Sequence, residues 1–173
     1  MLLRPWAAAD VPGEIMRFAH PSVTRFSWPH ARPYTEEDAR AFFIEQERAR
    51  ELGTDLNLAF AEPAQPGDVL GGGSLYGLDD GSGRAAVGFW LAPEARRRGI
   101  ATRATRLLAR WAFAELHVAR LELTCAPEND ASQRVAERCG FVREGLLRSY
   151  VPFKGGRRDS VMFSLLAQEL HTA

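Results

Sequence analysis

Between residues 84 and 126 the chain spells a strand, one helix and a second strand. The segment "RAAVGFWLA" (84–92) is short and apolar and is closed by Pro93. "RLELTCA" (120–126) alternates, with Leu121, Leu123 and Cys125 on one face. Between them Ile100, Ala104, Leu107, Leu108 and Trp111 fall at helical spacing over about 99–116. One helix between two strands carries the chain back over a face of the sheet, so the two strands pair in parallel. Any fold for this chain must accommodate that unit.

The flanking segments predict mostly antiparallel partners. "LLRPW" (2–6) reads as a first strand, and the Ala-rich stretch 8–20 as a short helix weakened by Pro12 and Gly13. The next stretch carries Pro21, Pro29 and Pro33 and reads as an irregular loop. Thr35 caps a helix whose first turn holds Glu36, Glu37 and Asp38 and which Gly53 ends. "DLNLAFAE", the turn "EPAQPGD", the glycine-rich "VLGGGSLYGL" and the hairpin turn "DDGSG" make a meander leading into 84–92. After 126, Asn129 caps a further helix ending at Gly140, and "FVREGLLRSYVPF", "KGGRRD" and "SVMFSLLA" form a terminal hairpin. The expectation is one α/β (α+β) domain over 1–173: a mixed, mostly antiparallel sheet of about seven strands with one parallel pair, flanked by about four helices.

Lys+Arg and Asp+Glu both number 22, so no global charge draws the chain to nucleic acid or a membrane. No apolar run reaches membrane-spanning length, and "MLLRPWAAAD" lacks the plan of a secretory leader. Cys125 and Cys139 do not make a disulfide framework and read as small buried hydrophobes. A reduced, cytoplasmic setting is expected. His20, His30, His117 and His171 are scattered without metal-ligand spacing, and no metal is expected.

Charge is concentrated at one place. "RRRGIAT" (96–102) follows a strand and opens a helix, and 95–114 holds six arginines and no acid. A helix N-terminus already carries partial positive charge, so cations there are unfavourable unless an anion arrives. Gly99 and Ala101 leave the backbone amides open to close approach, as a phosphate cradle requires. A solvated arginine face on an ordinary helix is the alternative.

The string Arg96-x-x-Gly99-x-Ala101 resembles the [Q/R]-x-x-G-x-[G/A] signature of the GNAT superfamily of acyl-CoA-dependent N-acyltransferases. "VGFWLAPEARRRGIAT", "CAPENDASQRVAERCGFVREG" and "GGRRDSVMFSLL" are similar to blocks of its ribosomal-protein N-acetyltransferase branch (RimJ/RimL-like). The resemblance is clear over about 69–166 and looser before. It implies the GNAT fold, with the parallel pair splayed to admit coenzyme A, and acetyl-CoA as acyl donor. It implies that the amides of Arg97, Arg98, Gly99, Ile100, Ala101 and Thr102 hold the pyrophosphate beside Arg96. Pantetheine would pair with the strand end Trp90-Leu91-Ala92, with the Leu91 amide as oxyanion donor. Asn129 would bond the pantetheine, Ser132 would lie near the thioester, and Tyr150 would protonate the leaving thiolate. Asn129 is equally a helix cap, Ser132 a small helix residue, and Tyr150 a packed strand tyrosine.

Some relatives carry a glutamate base on the strand equivalent to "AAVGFWLA", on that equivalent to "LELTCA" or on the one after the last helix. Here the first has none, Glu122 on the second is out of step with the position relatives use, which is Thr124, and Glu144 on the third falls early. A weakly basic acceptor suits such a site. The expected acceptor is a protein or peptide N-terminal α-amine, with a small amine (amino acid, polyamine, antibiotic) or a non-catalytic acyl-CoA sensor as alternatives. The loop with Phe26 and Trp28, the Thr35 helix and the strand pair around Ser74, Tyr76 and Tyr150 are candidate acceptor contacts. A homodimer, common among relatives, is left open.

Overall fold

The structure, a computed structural model, describes residues 1–78 and 81–170. Seven strands form one sheet: β1 (Leu2–Pro5), β2 (Asp55–Glu62), β3 (Gln65–Tyr76), β4 (Arg84–Leu91), β5 (Arg120–Cys125), β6 (Val142–Phe153) and β7 (Gly156–Leu166). Their spatial order is β1-β2-β3-β4-β5-β7-β6, antiparallel except for β4 and β5. The parallel unit dictated by residues 84–126 is therefore present at the centre of the sheet. Five α-helices flank it: α1 (Val11–Phe18), α2 (Pro21–Ser27), α3 (Glu36–Leu52), α4 (Ile100–Glu115) and α5 (Asp130–Arg138).

The fifth helix, α2, corrects the expected loop. Pro21 occupies the first helical position, where its missing N–H costs nothing and its fixed φ suits a helix. His20 caps the helix by accepting from the Ser22 amide through Nδ1 at 3.2 Å. Only Pro29 and Pro33 fall in irregular backbone. The turn expected over "EPAQPGD" is also shorter, because β2 and β3 pair as far as Glu62 and Gln65. Asp79 and Asp80 of the expected "DDGSG" turn, and His171, lie outside the described residues.

The α3 start is as the sequence dictates. The Asp38 amide donates to the Thr35 hydroxyl and the Thr35 amide to the Asp38 carboxylate, while Arg32 clamps that carboxylate with two bonds of 2.6 and 2.5 Å. The core lies between the sheet and α4, where Phe60, Leu75, Val87, Leu121 and Phe163 pack on Ile100, Ala104 and Leu108. The glycine run of β3 lets large rings approach its backbone. A Cβ on Gly73 would stand 2.4 Å from the Phe60 ring, and one on Gly72 would stand 2.8 Å from both Trp6 and Trp90. Trp90 of β4 stacks on Trp6 and meets Phe18 edge-on, which ties β4 to the N-terminal elements, and β4 is one wall of the site.

Candidate active site

Strands β4 and β5 pair only through Arg84–Arg120, Ala85–Leu121 and Ala86–Glu122. Beyond that they part. The consequence follows from the antiparallel ladder on the other side of β4, in which residues alternate between hydrogen-bonded and non-bonded pairs. The Ala92 amide donates to the Leu70 carbonyl at 2.9 Å, so Trp90, Gly88 and Ala86 point their backbone groups towards β3. Phe89 and Leu91 point theirs the other way, into the gap. The Leu91 carbonyl is taken by Arg96 Nη2 at 3.2 Å, while its N–H faces the gap beyond the end of the β4–β5 pairing. Arg96 thus fastens the loop to the strand end.

The gap opens into a cleft of about 470 Å³. Phe89, Trp90 and Leu91 form one wall, and Asn129 and Ser132 of the α5 start another. Arg96, Arg97, Gly99, Ile100, Ala101 and Thr102 form its base. Gly99 is the N-cap of α4 with φ +71°, and Arg97 has φ +60°. Left-handed residues two apart, leading into a helix whose first amides have no intrahelical acceptor, make an anion cradle. A non-glycine residue at positive φ such as Arg97 is also a mark of functional backbone. A Cβ built on Gly99 meets nothing within 4 Å, so the cradle is open.

Of the sequence-predicted donor residues, Arg98 and Ala92 do not line the cleft. Arg98 reaches Glu62 at 3.5 Å, and Ala92 is fully buried. Asn129 does cap α5: its side-chain oxygen accepts from the Ser132 amide at 3.2 Å. That bond leaves the side-chain NH2 for the cleft, so both roles are compatible. Asn129→Asp keeps the cap oxygen and removes the donor. The expected result is an unfolding midpoint within a degree or two of the parent and a coenzyme A affinity several-fold weaker by calorimetry. Equal affinity would leave Asn129 a cap alone.

Tyr150, Ser74, Tyr76 and Trp28 lie outside this cleft. Tyr76 and Tyr150 each keep less than half of their surface exposed; enclosure of the Tyr76 hydroxyl, and then the charge on Tyr150, push that hydroxyl up. The Ser74 hydroxyl bonds Asn57, which bonds Gln46 of α3. Trp28 lines a second cavity beyond α2.

Glu122 and Glu144 are both occupied by Arg120, at 2.9 Å and at 2.8 and 2.5 Å. Arg120, and then Ser164, hold the Glu144 carboxyl down at about 2, so it is a poor base. Burial pushes both thiols up to about 11, which keeps Cys125 and Cys139 protonated and out of nucleophilic chemistry. No group of three or more His, Cys, Asp or Glu placed to hold a metal occurs among the described residues, nor does a helix long and apolar enough to cross a membrane.

Sequence reasoning missed three features. Ser22, Val23 and Ser27 of α2 line the cleft, unanticipated because α2 itself was unexpected, and Phe26, expected with Trp28 at the acceptor pocket, lines this cleft instead. Arg134 and Arg138 of α5 add two further cations to it. The third feature is Glu14, 2% exposed on α1, whose only described partner is the Tyr34 hydroxyl, donating to both carboxylate oxygens at 3.2 Å. Burial pushes this carboxyl up to about 7, against the Tyr34 bond. The signal was present: Val11, Glu14 and Phe18 share a helical face, so an acid stands on an apolar stripe.

Residues 1–142 match the family described as Acetyltransferase (GNAT) domain. A Bacillus subtilis protein that carries the name ribosomal N-acetyltransferase YdaF is 38% identical over 115 residues, 66% of this chain and 63% of that protein, so the chain spans less than two thirds of that relative's length. The uncharacterized N-acetyltransferase p20 of Bacillus licheniformis is 28% identical over 98% of this chain and 94% of its own. Among solved structures, Mycobacterium smegmatis RimJ in complex with CoA-disulfide superposes with a TM-score of 0.88 at 24% identity, covering 99% of this chain and 84% of that one. The family match spans most of the chain, and the chain belongs to the GNAT acetyltransferase family, whose members take their acyl group from acetyl-CoA.

Proposed function

We propose that this chain is a single-domain, cytoplasmic N-acetyltransferase that acetylates the α-amine of a protein or peptide N-terminus. The amide cradle of residues 97–102 would hold the pyrophosphate of coenzyme A, with Arg97, Arg134 and Arg138 supplying charge. Phe89 and Leu91 would pair with the pantetheine amides as a missing strand would. Acetyl-CoA, when bound, supplies an activated thioester. The Leu91 N–H, aimed into the gap, is the donor for the oxyanion that forms as the amine attacks. Ser132, which lines the same cleft, would stand near the thioester, and Tyr150, outside the cleft lining, would reach in to protonate the departing thiolate.

The observation that carries the choice of acceptor is the charge of the cavity walls. Every charged side chain lining the cleft or the second cavity is basic, and the glutamates nearest the base position are tied to Arg120. A polycationic acceptor is repelled by such walls. A site without a free base also favours an amine that is neutral on its own. At pH 7.5 roughly a quarter to two-fifths of α-amines, with pKa about 7.7–8.0, are neutral, against on the order of one in a thousand lysine side chains. The name of the 38%-identical relative supports the same reading.

The test is thiol release from acetyl-CoA with peptides bearing free Ser or Ala N-termini, free amino acids, polyamines and aminoglycosides. Release with the peptides alone is expected. Release with a small amine instead would overturn the acceptor, and silence with tight acetyl-CoA binding would turn the reading towards a sensor. In the same assay Tyr150→Phe is expected to lower kcat about tenfold or more while leaving acetyl-CoA affinity unchanged. An unchanged kcat returns Tyr150 to packing.

A further inference from the structure

Helix α2 stands between two cavities that share no lining residue. Ser22, Val23, Phe26 and Ser27 face the donor cleft, whereas Pro21, Thr24, Arg25 and Trp28 face a recess of about 540 Å³ on the other side. That recess is closed by the 30–34 loop and by Lys154 of the β6–β7 turn. Two contacts staple the turn to the end of α2: the Lys154 amide donates to the Pro29 carbonyl at 2.5 Å, and Arg158 Nη1 to the Phe26 carbonyl at 3.2 Å.

The recess is aromatic and cationic. Trp28 packs on His30 and Tyr34 with ring centroids 4.5 and 4.9 Å apart. Arg25 lies 4.9 Å from the Phe26 ring centre and Lys154 5.3 Å from that of Phe153. Neither has a carboxylate partner among the described residues, while Arg32 is paired with Asp38. Arg158 shares the Phe153 ring at 3.8 Å, and its Nε is buried with no hydrogen-bond partner. The carboxyl groups nearby are Asp38, already clamped, Glu37, which also acts on Arg32, and Glu14, enclosed behind Tyr34. Arg25 and Lys154 each rest on a ring just outside the recess, while Trp28, His30 and Tyr34 supply its aromatic lining; cations held this way focus a positive potential and keep their donors available.

We infer that this recess is an anion-binding subsite for a carboxylate or phosphate carried next to a ring or apolar group, with Arg25 and Lys154 as its charge-assisted donors. The rings take the apolar part and the two cations the charge. Only the assignment of that anion to the acceptor rests on the acyl-transfer reading; binding itself does not.

The full chain, saturated with coenzyme A so that the cradle is filled, is titrated calorimetrically with phenyl phosphate, benzoate, neutral benzamide and inorganic phosphate. Phenyl phosphate or benzoate is expected to bind at least about tenfold more tightly than benzamide and inorganic phosphate. The double variant Arg25→Gln, Lys154→Asn should weaken the anionic probe about tenfold or more, with coenzyme A affinity unchanged; asparagine tolerates the positive φ of Lys154. Equal binding of benzamide and the anions, or a double variant that binds them as the parent does, overturns the subsite. Should the variant fail to fold, the probe series on the parent decides alone. Competition of the bound probe against an accepted amine assigns the site to the acceptor, and binding without competition assigns it to a free anion; both support the subsite. Loss of turnover with every amine, alongside intact probe binding, would sink the proposed function and leave the subsite standing.

Discussion

Gly99→Val is expected to weaken coenzyme A binding by on the order of 100-fold, about 2.7 kcal/mol, while the protein stays folded. The protein itself has room for the new side chain, since a Cβ at this position meets nothing within 4 Å. On the proposed binding mode, what it would meet is the pyrophosphate of coenzyme A. Gly99 heads α4 at φ +71°, so its Cβ would project from the middle of the amide cradle, where a phosphate must come within hydrogen-bond distance. The same φ is closed to a β-branched residue, and the chain must either bear about 1–3 kcal/mol of strain or rotate out of the cradle geometry. Gly99→Ala should fall between parent and valine. Calorimetry on a variant whose circular dichroism matches the parent is the check. A folded Gly99→Val protein with parental affinity would mean that the pyrophosphate sits elsewhere.

Glu14→Gln is expected to stabilise the protein at pH 8 by about 3 kcal/mol, raising Tm by roughly 6–10 °C, and to change little at pH 4. The sign follows from the protons bound. In the folded protein burial holds the Glu14 carboxyl at about 7, whereas in the unfolded chain it ionises near 4.5. Between those values the folded state binds more protons than the unfolded one, so stability falls as pH rises through the window and levels off above it. Glutamine keeps an oxygen to accept from the Tyr34 hydroxyl and carries no charge to bury. Chemical denaturation at pH 4, 6 and 8 reads the effect. A parent and variant whose difference does not grow with pH would show that the Glu14 carboxylate is satisfied in the fold.

The parallel unit, the Gly99 turn and the Asn129 cap were legible because each rests on local rules: one helix between two strands, a glycine at a helix start, an amide-side-chain cap. Leu91 was legible only through the family resemblance. That Phe89 and Leu91, and not Trp90 or Ala92, address the gap depends on the register with β3, fixed by a hydrogen bond to Leu70 that no local pattern announces. Helix α2 was hidden because Pro21 suits a helix start as well as a loop. The basic recess was hidden because Arg25, Arg32 and Lys154 come from two ends of the chain and are brought together by the Lys154–Pro29 contact. Glu14 was visible as an acid on an apolar stripe, but that it has no cation partner among the described residues was not.

The parting of β4 and β5 after three residue pairs leaves this sheet with two edges in its interior. Exposed edges invite another chain to add itself, and most proteins place them at the periphery where charge or twist guards them. Here the vulnerable edge is central and partly roofed by α2, whose residues line the same cleft. A ligand that pairs with Phe89 and Leu91 therefore acts as a temporary eighth strand. On the proposed binding mode its arrival would complete a ladder as well as deliver a reactive group, so that the repair of an unfinished sheet and the catalysis would depend on the same molecule.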